Sequence, residues 1–339
     1  HEVTPLADDL LSTVPGTLKG LIQSRLDRLP QELHEPLVSA AVLGPAFPTD
    51  LWYCMIGTGD HIPDSILEDL RTRQLVFCEP SGRRQECVFY HALIQEVMYD
   101  TLLKRTREGL HEKAAQTIEE GSYWPTDQQA EALAYHYARS SQPLKALPYL
   151  AHAGESAVQR CAYETAIQHF SSALELMPEG DSSQSELQIS IRLGMGRALK
   201  FVGEYAAAGL ILKEVLAYLV QPEVIEGQPS AVRLWVQALT EMADVQAREG
   251  ALGEAIAYLQ AGLDLLGESA DQDAPNLWRI LIDRLALVRF RQGQLDEAFD
   301  LANSAVLSLP PGGAEDEMTL ASLFNTLGGV SWQKGNLSE

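Results

Sequence analysis

The feature that most constrains this chain is a short phrase that recurs along its C-terminal half. The complete copies read CAYETA, GEYAAA, GALGEA and GQLDEA, and a fifth, GNLSE, ends the sequence. Every complete copy closes on an alanine, and another small residue lies twelve positions before it. Small residues let two helices approach closely, and a glycine can end a helix in the left-handed conformation. The pattern therefore predicts helix, tight turn, helix in each copy. The closing alanines are Ala166, Ala208, Ala255 and Ala298, and the small residues before them are Gly154, Gly196, Ala243 and Ala286, with Gly328 in the incomplete copy.

One such helix pair cannot bury its apolar stripe alone, so neighbouring pairs must stack. We expect antiparallel helix pairs over residues 146–334, within a repeat domain at 126–339 that stops inside its last repeat. The pattern resembles the tetratricopeptide repeat, which also places small residues in both helices and an aromatic residue or leucine in the turn. The marker alanines are 42, 47 and 43 residues apart, whereas the standard repeat has 34. The extra residues fall in joints rich in glycine, proline, aspartate and serine.

Residues 1–125 have a different pattern. Leucines recur at helical spacing over 17–29, 32–43 and 64–72, and a further helix is expected from about His91 to Lys104. Between them, two short apolar runs at 75–78 and 87–90 flank a Pro-Ser-Gly-Arg-Arg turn, which predicts a β-hairpin. Three helices and a hairpin predict a winged helix. The expected fold class is mainly α, with a tetratricopeptide-type α-α superhelix preceded by this small domain with its hairpin.

Charge and cysteine content restrict the partners. The net charge is −22, which repels phosphate backbones, so we expect no nucleic-acid binding although winged helices commonly bind DNA. No run of 18 apolar residues occurs, and no membrane contact is expected. The four cysteines form no Cys-x-x-Cys pair, which favours a cytoplasmic protein with free thiols, although Cys78 and Cys87 could face each other across the predicted hairpin. The histidine spacing does not suggest a metal site, and no catalytic motif is present.

Two phrases resemble STAND regulators, the signal-transduction ATPases with numerous domains. VPGTLKGLIQSRLDRLP, at 14–30, resembles the segment after their nucleotide-binding domain, and FYHALIQEVMYDTLLKRTREGLH, at 89–111, resembles the end of their winged helix. Bacterial nucleotidyl cyclases, kinases and maltose-activator-type regulators carry such cores, and a tetratricopeptide sensor follows. No GxxxxGK[ST] loop occurs here, so we expect a fragment without a cofactor of its own, whose full-length protein binds ADP or ATP.

The resemblance implies a role for His91. In STAND proteins a histidine at the junction of wing and helix reaches the phosphate of bound ADP and holds the resting state. His91 occupies that place in FYHALI, whereas the acidic residue that often follows it in relatives is Ala92 here. The alternative is a histidine that only caps or packs at a helix start.

The repeats suggest a second site, on the face of the first helices that points away from the small packing residues. Charged and aromatic side chains there suit a peptide, a protein or a small effector, although an ordinary solvated face has the same composition. We therefore expect a non-catalytic sensor region that couples this face to a nucleotide-binding domain outside the sequence. The alternative is a plain tetratricopeptide scaffold for protein–protein interaction. The candidate residues are Arg197, Lys200, Asp244, Arg248, Asp283, Phe290, Arg291 and Trp332.

Overall fold

The computed structural model describes residues 16–57, 64–81, 84–177, 186–221, 230–267, 274–308 and 317–335. Contacts within the chain divide it into two compact units, residues 1–152 and residues 153–339, which we call the first and the second unit. Both consist mainly of α-helices, as predicted, and a small sheet lies in the first.

The first unit contains most of the predicted helices and some that the sequence pattern did not indicate. The helix expected from about His91 to Lys104 ends at Asp100, and a separate helix begins at Lys104. The helices expected over 17–29, 32–43 and 64–72 are confirmed, whereas an additional short helix follows residue 48. Its elements are α1 (Gly16–Leu26), α2 (Gln31–Leu43), β1 (Ala46–Pro48), α3 (Thr49–Ile56), α4 (Asp64–Thr72), β2 (Val76–Ser81), β3 (Arg84–Phe89), α5 (Ala92–Asp100), α6 (Lys104–Glu120), α7 (Thr126–Ala138), a 3₁₀ turn (Pro143–Ala146) and the start of α8 (Leu147–Gln159).

The sheet is antiparallel, with the strand order β1-β3-β2. The predicted hairpin is confirmed as β2 and β3, and residues 82–83 at its tip lie outside the described residues. Cys78 and Cys87 are directly opposite each other in the register and form a disulfide. The expectation of free thiols is therefore wrong for this pair, because cross-strand pairing brings their Cα atoms to 3.9 Å. Cys54 and Cys161 are free.

The core of the first unit is centred on α3 and the sheet. Trp52 is completely buried, and its ring packs edge-on against Phe47 of β1 at 5.4 Å. Its indole N–H donates to the Pro36 carbonyl at 2.9 Å and to the Ser39 hydroxyl at 3.1 Å, both on α2. Burying a tryptophan requires a partner for this N–H, and α2 supplies it. These contacts fasten α3 to α2.

A pair of buried histidines joins α6 to α7. Nδ1 of His111 lies 3.0 Å from Nδ1 of His136, and Nε2 of His111 lies 2.8 Å from the Tyr99 hydroxyl. Both imidazoles are buried. This packing explains why α7 belongs to the first unit, whereas the sequence placed the domain boundary before it, after residue 125.

We expect this pair to make folding stability depend on pH. Burial, and secondarily Arg139 and Arg107, lowers the pKa of His111 to about 4, and burial lowers that of His136 to about 3. Below about pH 6.5 these two histidines are therefore protonated in the unfolded chain but stay neutral in the folded chain. Because the unfolded state binds more protons, the free energy of unfolding falls as the pH falls. Between pH 6.5 and 5.5 the decrease should be about 1–2 kcal/mol, measured by urea unfolding.

The control is His111→Asn, which removes one of the two suppressed titrations. Its stability should change with pH about half as steeply over the same interval. An unchanged slope in this variant would show that other groups cause the acid sensitivity.

The second unit consists of consecutive helices that pack in pairs, as predicted. Within its described residues no strand occurs. The unit is a repeat of helix pairs joined by tight turns. Its helices are the remainder of α8, then α9 (Tyr163–Leu176), α10 (Glu186–Val202), α11 (Tyr205–Leu219), α12 (Ala231–Glu249), α13 (Leu252–Gly267), α14 (Ala274–Arg291), α15 (Leu295–Leu307) and α16 (Glu317–Lys334).

The repeated phrase forms the turns between these helices. Its first residue is left-handed in every copy, with φ of +90° at Gly203, +88° at Gly250, +79° at Gly293 and +78° at Gly335. Glycine reaches this region without steric cost. In the first copy Cys161 takes the same conformation, with φ of +58°. The turn geometry is thus kept even where the residue is not glycine.

The small marker residues are buried where helices approach closely. The four closing alanines are completely buried, and the residues twelve positions earlier are buried as well, whereas Gly328 is exposed. Gly154 and Gly194 leave room for the ring of Phe170, since a Cβ would come within 2.6 Å of that ring at Gly154 and within 2.4 Å at Gly194. Phe170 on α9 is therefore clamped between two glycines, one on α8 and one on α10.

Candidate partner-binding face of the helical repeats

Ion pairs connect the first helices of successive repeats. Arg197 of α10 donates to Glu155 of α8 at 3.1 Å and to Glu241 of α12 at 3.0 Å. Lys200 of α10 donates to Glu241 at 2.6 Å and to Asp244 of α12 at 3.0 Å. We call Glu155, Arg197, Lys200, Glu241, Asp244 and Arg284 the ion-pair ladder. It contains three cations and three carboxylates and so neutralises itself.

The ladder continues more weakly to α14. Nε of Arg284 lies 3.9 Å from a carboxylate oxygen of Asp244. The neighbouring Asp283 is buried and accepts a hydrogen bond from the Ser322 hydroxyl of α16 at 2.8 Å. Polar contacts thus link every successive pair of first helices from α8 to α16.

Burial makes this network strong. The side chain of Lys200 is only 4% exposed, and that of Glu241 is 15% exposed. Burial disfavours the charge of Arg197, but Glu241 and Glu155 more than compensate and raise its pKa. Charge-assisted hydrogen bonds in a region of low dielectric constant are stronger than those in water. The ladder should therefore hold the spacing of the helices.

An aromatic and cationic edge borders the ladder. Phe201 is 44% exposed and stacks on Tyr163 with ring centroids 4.6 Å apart. The Lys200 amine lies 5.1 Å from the centroid of the Phe201 ring, and the Arg248 guanidinium lies 5.7 Å from it. Arg248 is exposed, so its cation and the Phe201 ring are both available to a partner.

The structure brings together only part of the predicted set. Arg197, Lys200 and Asp244 meet in the ladder, and Arg248 joins its edge. Lys200 and Asp283 are buried, because adjacent helices converge on them, and in this structure they hold helices together instead of facing outward.

The remaining predicted residues lie further along the repeats. Phe290 is half-buried against α16, where a Cβ at Gly329 would come within 3.4 Å of its ring. Arg291 is exposed at the end of α14, and Trp332 is 70% exposed in the last turn of α16. No described contact connects these two to the ladder.

Sequence reasoning missed Glu155, Glu241 and Arg284, although the repeat register contained a signal. Glu155, Arg197 and Asp244 each directly follow the small residue of their repeat, so the same position carries alternating charge. Glu241 and Arg284 also occupy a shared position, two residues before the small residue of their repeats. Opposite charges at equal positions in adjacent repeats indicate that charged side chains connect those repeats. Arg197 and Glu155 pair in this register. Arg284 instead lies near Asp244, so the other pairs are offset along the helices.

His91 lies in the first unit, at the start of α5. Its Nδ1 accepts a hydrogen bond from the Leu93 backbone N–H at 3.1 Å, so the side chain caps the helix. A neutral imidazole that accepts at Nδ1 carries its proton on Nε2, and the ring is exposed. His91 and Arg25 both line a cavity of about 210 Å³, and Arg25, Arg28 and Arg73 line another of about 440 Å³.

Two further kinds of site receive no support from the described residues. The described residues contain no cluster of three or more side chains that could hold a metal ion. None of the described helices is long and apolar enough to cross a lipid bilayer.

Comparisons with known proteins give distant structural likenesses. The chain is similar to BtubC from P. vanneervenii, with 15% identity, a TM-score of 0.45, and 67% of this chain and 85% of that one covered. It is similar to a STAND protein with a tetratricopeptide-repeat sensor from Pyrococcus horikoshii, with 14% identity and a TM-score of 0.41 over 93% of this chain and 50% of that one. The third is the TPR2AB-domain:pHSP90 complex of yeast Sti1, with 15% identity and a TM-score of 0.24 over 65% of this chain and 99% of that one.

The chain thus spans half of the length of the STAND protein. No protein-family model matches the chain, and no curated protein sequence matches it.

Proposed function

We propose that this chain is the non-catalytic sensor region of a STAND-type signal-transduction ATPase. The repeats bind a protein, a peptide or a small effector, and the winged helix expected within residues 1–125 couples binding to a nucleotide-binding domain outside this sequence. ADP or ATP is the nucleotide of that domain.

The observation that carries the proposal is the ion-pair ladder with its exposed edge. The ladder is neutral and its ion pairs should hold the helices at a fixed spacing, so the surface is fixed at little cost when a partner binds. Phe201 and Arg248 at its edge belong to the residue types that are enriched at protein interfaces, which include aromatic residues and arginine. A plain scaffold would use the same surface, because the ladder lies wholly within the repeats.

Coupling to a nucleotide is what separates the sensor from the scaffold. His91 presents an exposed Nε2–H, and Arg25, Arg28 and Arg73 provide positive charge around the adjoining cavities. These groups suit a phosphate. Reciprocity then requires that a partner bound to the repeats change the affinity for ADP.

The test uses the full-length protein with His91→Ala. One charge-assisted hydrogen bond to phosphate contributes about 1.5–3 kcal/mol, so its loss should speed ADP release by roughly ten-fold or more. ADP dissociation and resting activity would be measured together, and both should increase.

The variant His91→Asp separates the loss of the helix cap from the loss of the phosphate contact. Aspartate also caps helices well, but its carboxylate repels phosphate. We expect this variant to keep the stability of α5 and still release ADP quickly. If ADP release is unchanged in both variants, His91 acts only as a cap, and the scaffold becomes the better interpretation.

A further inference from the structure

A cavity of about 370 Å³ lies in the first unit, beside the turn between α6 and α7. Ala130 and Leu133 of α7 are buried and provide apolar surface, and Trp124 and Tyr149 provide half-buried aromatic rings. The proposed function leaves this cavity unused.

The turn that carries Trp124 is fastened by one side chain. The Gln129 amide donates to the carbonyls of Ile118 at 3.1 Å and Gly121 at 3.0 Å, and its oxygen accepts from the Tyr123 backbone N–H at 3.2 Å. Gly121 fits because a Cβ there would come within 2.4 Å of the Tyr123 ring. The backbone next to Trp124 is therefore held by Gln129.

The Tyr149 ring is electron-rich. Its hydroxyl donates to one oxygen of Glu119, and the Tyr137 hydroxyl donates to the other. The two rings stack in parallel, with centroids 5.8 Å apart. Burial, followed by the bond to Glu119, raises the pKa of Tyr149 to about 12, so the phenol remains a donor at neutral pH. Donation to a carboxylate increases the negative potential over the ring face.

The charges around the cavity favour a cation. Neither carboxylate lines the cavity itself, but Glu119 accepts a hydrogen bond from the lining residue Tyr149, and Asp127 lies 3.5 Å from the imidazole of the lining residue His152. The Lys145 amine lies 5.6 Å from the centroid of the Tyr137 ring, on a residue that does not line the cavity. Tryptophan and tyrosine faces attract ammonium groups, with tryptophan the strongest.

We propose that this cavity binds an alkylated ammonium group, held by the Trp124 and Tyr149 rings that line it and attracted by the carboxylates of Glu119 and Asp127, which are bonded to or near lining side chains. The ligand class is an organic cation such as a quaternary amine, whether it is a free molecule or the methylated lysine of a peptide. The site is independent of the proposed function, because it uses neither the repeat face nor a nucleotide.

The experiment compares two probes that differ in charge but hardly in shape. Choline and its neutral isostere 3,3-dimethylbutan-1-ol are titrated into the full chain at pH 8, and binding is followed by calorimetry. Choline should bind at least about ten-fold more tightly, which corresponds to about 1.4 kcal/mol. Trp124→Leu should abolish this preference.

Two further variants keep the result interpretable. Tyr149→Phe keeps the ring but removes the bond to Glu119, and it should weaken choline binding by about three-fold. Leu144→Ala changes a nearby exposed residue outside the cavity and should leave binding unchanged. Equal affinity for the two probes, no binding of either, or full choline binding by Trp124→Leu in a folded protein would overturn the proposal.

A peptide arm identifies the source of the cation. A pentapeptide with trimethyllysine is compared with the same peptide carrying norleucine. If the trimethyllysine peptide binds more tightly than choline, the natural ligand is a protein segment. If it binds more weakly, the natural ligand is a small molecule.

Discussion

Phe170→Ala should lower the free energy of unfolding by about 3–5 kcal/mol. The ring is completely buried and fills the gap between Gly154 of α8 and Gly194 of α10. Alanine would leave a cavity that these glycines cannot fill, because they have no side chains. The loss would be measured by urea unfolding monitored by circular dichroism.

A double-mutant cycle tests whether Phe170 is held by direct packing against Gly194. Gly194→Ala alone overpacks the site and should cost about 1–3 kcal/mol. In the Phe170→Ala background the added methyl enters empty space, so the same substitution should cost much less. If the two effects simply add, Phe170 and Gly194 do not form the clamp inferred here.

Only one part of this packing arrangement can be predicted from the sequence. Small residues at fixed positions show that two helices approach closely, and the buried alanines confirm it. A small residue does not say which large side chain enters the gap it leaves. That depends on the rotation of α9 against its neighbours, which only the packed structure fixes.

The candidate face illustrates the same limit. Periodicity places Arg197, Lys200 and Asp244 on one side of their helices, and the structure brings them together. Periodicity does not give the lateral distance between adjacent helices, so the sequence could not show that Lys200 is buried between two carboxylates. The alternating charges at equivalent repeat positions would have indicated that Arg197 pairs with Glu155, but Lys200 lies outside that pattern.

In the first unit, prediction failed for the shortest elements. β1 has three residues and α3 has eight, too few for hydropathy to show a period. The hairpin was found because its apolar runs are separated by a strong turn signal. Its register, which brings Cys78 opposite Cys87, depends on single-residue alignment that the pattern leaves open.

The second large effect is expected from Lys200→Met. Methionine keeps most of the apolar stem but removes the amine that binds Glu241 at 2.6 Å and Asp244 at 3.0 Å. Removing one partner of a buried ion pair leaves uncompensated charge and costs about 3–5 kcal/mol. Arg197 still binds Glu241 at 3.0 Å, so the loss should lie near the lower end, about 3 kcal/mol.

The matched control is Arg233→Met, which breaks an ion pair between the same two helices. Arg233 of α12 binds Glu186 of α10 at 3.3 Å, but both side chains are about half exposed. Solvent screens such a pair, so the expected loss is below about 1 kcal/mol and shrinks further in 1 M salt. The Lys200 effect should persist in salt because water has little access to that amine. Equal losses for the two variants would mean that burial adds nothing to the ladder and that its rigidity, on which the proposed binding face depends, has another origin.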